Sequence, residues 1–131
     1  MRLRRLLMEL FYVLAFGLFG ILFRYIISQQ FHNIFKFNFP LDIFFINLLG
    51  SIFIGLFYVI SSEKFLLSNN IKIGVMVGFL GGFTTFSSYC LDAVKLFENQ
   101  HYFQSILYII LSPIIGISLT YLSIFIARKF V

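Results

Sequence analysis

Four long apolar runs, at about residues 6–27, 41–60, 71–97 and 102–127, decide what this chain can become. A hydrocarbon core about 30 Å thick is crossed by about 20 helical residues, and each run reaches that length. Backbone polar groups in lipid must be satisfied within their own segment, so helix is the expected state of every run. The expected fold class is an all-α membrane protein of four transmembrane helices in a single domain, residues 1–131, with no internal repeat. Composition agrees, since 60% of the residues are hydrophobic and 11% charged, with a mean hydropathy of +0.98. Soluble domains carry about 25% charged residues, so a water-soluble monomer is excluded. Twenty Phe and seven Tyr exclude disorder. The one cysteine, Cys90, excludes a disulfide framework. The length leaves no room for a soluble catalytic domain.

The formal charge is +5. Its basic residues sit mostly at the ends of apolar runs, where anchoring to headgroups explains them better than nucleic-acid binding does. Arg2, Arg4 and Arg5 resemble the start of a signal peptide. No small-residue cleavage site follows, and the run is too long, so a retained first helix is expected. Residues 28–40, ending at Pro40, and residues 61–70 (SSEKFLLSNN) read as connections. Seven Lys and Arg (Arg2, Arg4, Arg5, Lys64, Lys72, Arg128, Lys129) fall on one side, and Lys36 and Lys95, with Arg24 if counted, on the other. That bias predicts both termini in the cytoplasm.

Polar residues inside spans are costly and therefore informative. Arg24 near the end of the first run either snorkels to the interface or faces a vestibule. Asn47, followed by Gly50, Ser51 and Gly55, either bonds to a neighbouring helix or offers its amide to a dehydrated anion. In the third run Gly74, Gly78, Gly81 and Gly82 form a stripe that permits close backbone contact. Gly81-Gly82 and Thr84-Thr85 predict an unwound turn near mid-membrane, tolerated only where protein buries it or an ion satisfies it. Its freed carbonyls could hold a small hard cation, or Thr hydroxyls could repair a simple kink. Phe83, Phe86 and Tyr89 follow as an aromatic stripe. Tyr108, Ser112, Gly116 and Thr120, four apart, stack on one face of the last helix. They form a hydroxyl track that lines a wet path or bonds back to its own helix. His32 and His101 fall in expected loops far from Cys90, without metal-ligand spacing, and no nucleophile–base pair or phosphate loop can be assembled. An enzyme is not expected.

These residues resemble the Fluc (CrcB) fluoride channels, small four-helix membrane proteins that export fluoride, over nearly the whole length. Three motifs carry the likeness: G-x-x-G-x-x-x-R-Y at Gly17, Gly20, Arg24 and Tyr25; N-x-x-G-S-x-x-x-G at Asn47, Gly50, Ser51 and Gly55; and G-G-F-T-T-F-S-S at residues 81–88. The third, in the third of four helices, is the specific one. The resemblance implies an antiparallel dual-topology dimer in the cell inner membrane, with two fluoride paths along the subunit interface. It implies a structural sodium ion held by the backbone carbonyls of Gly81 and Thr84. It places Asn47, Phe83, Phe86, Tyr89, Ser87, Ser88, Tyr108, Ser112 and Thr120 along the fluoride path, and Arg24 in structure or vestibule. Conduction would be passive, with donors replacing the waters of fluoride and aromatic edges, which are electropositive, approaching the anion.

Two features depart from the family pattern. Tyr89 stands where Phe is usual, and its hydroxyl is expected to narrow or wet the path. The charge bias is large for a chain that inserts both ways, which raises pairing with an oppositely oriented sister subunit. Two rivals follow: an accessory subunit that conducts only with such a sister, and a small multidrug-type proton-coupled transporter. The second needs a mid-membrane carboxylate, whereas Glu9, Asp42, Asp92 and Glu98 all lie near the ends of runs.

Overall fold

The computed structural model describes residues 2–34, 39–65 and 67–130, and all the regular structure in them is helical. Helix α1 spans Arg2–Ile34. Helix α2 spans Leu41–Val59 and winds on as a π turn, Ile60–Lys64. The third crossing is composite: α3 (Asn69–Ile73), a π segment (Gly74–Leu80), α4 (Gly81–Phe83) and α5 (Phe86–Glu98). Helix α6 spans Tyr102–Phe130. Arg2–Ile34, Leu41–Lys64, Asn69–Glu98 and Tyr102–Phe130 are each long and apolar enough to cross a membrane.

Residues 28–34, expected as loop, are helical. Nothing in Ser28-Gln29-Gln30 breaks a helix, and two polar side chains of this stretch, Ser28 and His32, meet Asp42. Ser28 Oγ donates to Asp42 Oδ2 at 2.5 Å, and His32 Nε2 stands 3.4 Å from the same oxygen. His32 is thus a helical residue facing α2 rather than a loop residue. Lys36, counted in the charge bias, lies outside the described residues.

Large apolar side chains point outward along the helices, as with Leu14 (68% exposed) and Ile117 (72%). This surface suits lipid and would be untenable in water. Packing inside rests on small residues, as expected where lipid removes the hydrophobic drive between helices. Gly17 and Gly20 of α1 lie directly on the third crossing. A Cβ on Gly20 would collide with the Phe79 carbonyl oxygen and come within 2.9 Å of Phe83 N. Gly74, Gly78 and Gly82 face α1 in return, while Gly81 faces away, with only Met76 O near it at 3.9 Å. Gly55 lets α2 approach Ser123 and Thr120 of α6 along an extensive pairing of the two helices. Helix α5 reaches α6 through a turn in which Gln100 takes φ 63°. There His101 N–H donates to Leu96 O and Gln100 N–H to Phe97 O, the paired bonds of a Schellman cap. Buried Ser105 Oγ then donates to Ala93 O at 2.8 Å, tying α6 to α5.

Candidate functional site

Thr84 and Thr85 are extended (φ −84°, ψ 159°; φ −150°, ψ 120°), so α4 ends and α5 starts anew two residues later. The ends are finished by side chains. Thr84 Oγ1 and N–H both donate to Leu80 O. Thr85 caps α5, its Oγ1 accepting from Ser88 N–H at 3.2 Å. Asn47 on α2 supplies the rest: its Oδ1 accepts from Thr85 N–H at 2.9 Å and its Nδ2 donates to Thr85 O at 3.0 Å.

These substitutions leave two carbonyls without their helical donors. In a continuous helix Thr85 N–H would serve Gly81 O, and Ser88 N–H would serve Thr84 O. The first goes to Asn47 and the second to the Thr85 hydroxyl. Ser87 Oγ lies 3.3 Å from the Thr85 hydroxyl, which donates to Ser88 Oγ at 3.1 Å.

The network continues into α6. Ser51 Oγ donates to Asn47 O, and Thr120 Oγ1 contacts Ser51 O at 3.0 Å. Tyr108 is fully buried, its ring centroid 5.0 Å from Tyr89 and 5.3 Å from Phe39. The Tyr108 hydroxyl, Ser112 Oγ and Gln104 Oε1 are buried, and none has a hydrogen-bond partner among the described residues. Four-residue spacing puts all three in one file on α6, about 6 Å apart in rise. Gln104 was not among the residues singled out from sequence. Its place four before Tyr108 was the available signal.

A groove of about 360 Å³ opens beside the break, lined by Asn47, Gly81, Thr84, Phe86, Tyr89 and Ser112 among others. Phe86 stands 77% exposed at its rim, its ring 5.6 Å from that of Tyr89. Phe83 is not with them: it is 4% exposed, its ring stacked on Phe79 on the other side of the break. The Tyr89 hydroxyl, expected to narrow or wet a path, is turned to the Ile109 carbonyl at 2.8 Å. Arg24 is half-buried on α1 and has no ion pair among the described residues. A second, more polar cavity of about 740 Å³ lies at the end of the bundle where α1 finishes, lined by His32, Asp42, Asp92, Lys95 and His101 among others.

Residues 11–124 match a family model described as CrcB-like protein, Camphor Resistance (CrcB). Among curated proteins, the chain is 37% identical over 111 residues to the fluoride-specific ion channel FluC of Azobacteroides pseudotrichonymphae, covering 85% of this chain and 89% of the relative. It is 33% identical over 115 residues to a protein of the same name from Saccharophagus degradans (88% and 86% covered). With that of Leptospira interrogans it shares 34% over 119 residues (90% and 94% covered).

Proposed function

The chain belongs to the CrcB family, and from that membership we propose that it is a passive, fluoride-selective channel that releases fluoride from the cytoplasm and so protects the cell. It is a multi-pass membrane protein, and its class of activity is transport, not catalysis.

The observation that carries the reading is the file of Gln104, Tyr108 and Ser112. A buried polar atom left unpaired costs about 1–3 kcal/mol, so the file favours a polar partner from outside the single chain, and its two hydroxyls, unlike the Gln104 carbonyl oxygen, can donate to an anion. Fluoride is small and strongly hydrated, and a selective path must offer donors in place of its waters. The Tyr108 and Ser112 hydroxyls are such donors. Asn47 spends one N–H on Thr85 O, and its second N–H remains for the ion. Phe86 and Tyr89 contribute ring edges.

The break then sits near mid-membrane, and two copies inserted in opposite directions pair along the open groove, with Arg24 toward a vestibule. The Gly81 and Thr84 carbonyls fit a hard cation in donor type, because both have lost their helical N–H partners. A bound sodium ion would supply a fixed positive charge that favours an anion nearby. A second reading, favoured by the charge bias, is that the partner is a sister subunit of opposite orientation and this chain alone conducts poorly.

Fluoride efflux from liposomes holding only this purified chain, followed with a fluoride electrode and repeated for chloride, decides between them. Fast fluoride loss with chloride retained supports a self-sufficient channel. A folded, reconstituted chain without flux favours the sister subunit.

A further inference from the structure

Pro113 lies inside α6 and has no N–H, so the Ile109 carbonyl four residues earlier has no donor within its own helix. In lipid a freed carbonyl must be satisfied by a neighbour. The Tyr89 hydroxyl does this across the α5–α6 contact, at 2.8 Å. The same ring neighbours those of Phe86 and Tyr108, at centroid distances of 5.6 and 5.0 Å. Tyr89 and Pro113 both line the groove beside the break.

We propose that Pro113 and Tyr89 form a coupled positioning pair: the proline frees a carbonyl whose function is to hold the Tyr89 ring beside Phe86 and Tyr108 and to keep its hydroxyl out of the ion path. This explains why a tyrosine works at a position that a plain phenyl ring would otherwise fill. A phenyl ring there has no use for the free carbonyl, and a tyrosine without the carbonyl has a loose hydroxyl beside the path. Pro113 thus acts on conduction through Tyr89, without touching the ion. The inference rests on the channel reading for its functional half only.

A double-mutant cycle tests it with wild type, Tyr89→Phe, Pro113→Ala and the double variant in liposomes. Tyr89→Phe removes the donor, and Pro113→Ala restores a helical N–H that draws the Ile109 carbonyl back into line. Each single variant is expected to slow fluoride efflux about five-fold, the equivalent of about 1 kcal/mol for one hydrogen bond. The double variant should be no slower than either single one. Independent effects would multiply to about twenty-five-fold, and that result, or single variants at wild-type rate, overturns the pair. Thermal unfolding midpoints of the same four proteins give a readout free of flux, and they should be equally non-additive. If wild type carries no fluoride, the reading of a self-sufficient channel fails, and with it the role of the pair in conduction by this chain alone. The midpoints still show whether the two residues are joined, and additive midpoints overturn that too.

Discussion

Asn47 and Thr85 pair as neighbouring strands of a sheet do: the amide oxygen accepts from Thr85 N–H at 2.9 Å while the amide nitrogen donates to Thr85 O at 3.0 Å. One side chain on α2 thus satisfies both polar groups of a residue in the interrupted crossing. In lipid those groups have no water to turn to. The clamp also keeps Thr85 N–H away from Gly81 O. Whatever the Gly81 carbonyl does depends on Asn47.

Asn47→Asp separates the two halves of the clamp. A carboxylate still accepts from Thr85 N–H but places an oxygen against Thr85 O where a donor stood. We expect a loss of about 1–3 kcal/mol in stability, the range for leaving a buried group unpaired. Fluoride efflux should fall beyond that, because the charge repels an anion. Thermal unfolding in detergent and efflux of the surviving folded fraction measure the two separately. Wild-type flux from the folded variant would take Asn47 out of the path.

Gly20 and Gly81 should answer differently to alanine. At Gly20 a methyl group would meet the backbone of Phe79 and Phe83, and α1 would have to leave the third crossing. We expect a penalty of about 3 kcal/mol or more, seen as poor yield and a lowered unfolding midpoint. At Gly81 the nearest atom is 3.9 Å away, and alanine favours helix by about 1 kcal/mol. Gly81→Ala should leave the folded chain intact, so any effect on flux comes from the face that the groove opens. A Gly81→Ala protein that fails to fold contradicts this.

The parts of this structure that repeat along the sequence were legible in it. Apolar runs announced the four crossings, and spacing by four placed Tyr108, Ser112 and Thr120 on one face of α6. The parts made by pairing distant residues were not legible. Asn47 could be marked as a polar group needing a partner, but that the partner is the Thr85 backbone depends on how α2 lies on the third crossing. Pro113 and Tyr89 were each visible, and the bond that relates them was not. The end of α1 is not legible locally, because Ser28, Gln29 and His32 look like loop in isolation. Asp42, fourteen residues after Ser28, gives Ser28 and His32 a polar partner on α2. Gln100 gave no signal, since glycine or asparagine is the usual mark of a left-handed turn.

That residue offers a stabilising change. Gln100 holds φ 63° at the cap between α5 and α6. A side chain pays about 1–2 kcal/mol for that conformation, and glycine does not. Gln100→Gly removes the steric term and loosens the unfolded chain by less, so we expect a gain of about 0.5–1 kcal/mol. A raised midpoint in thermal unfolding with unchanged helical content is the outcome that fits. A lowered midpoint would mean that the side chain itself supports the turn.

Phe86 separates conduction from folding most cleanly. Its side chain is 77% exposed in the single chain, so Phe86→Ile removes little packing within the subunit. It keeps the residue apolar but deletes the ring edge and the contact with Tyr89. Stability of the folded subunit should stay within about 0.5 kcal/mol of wild type, as for substitutions that touch nothing buried. Fluoride efflux should drop by up to about tenfold, since an aromatic edge contributes up to about 1.5 kcal/mol to a favourable contact. Efflux from liposomes and helical content by circular dichroism, measured on one preparation, read both sides of the prediction. A stable variant with unimpaired efflux would show that the ring at the rim of the groove plays no part in passing the ion.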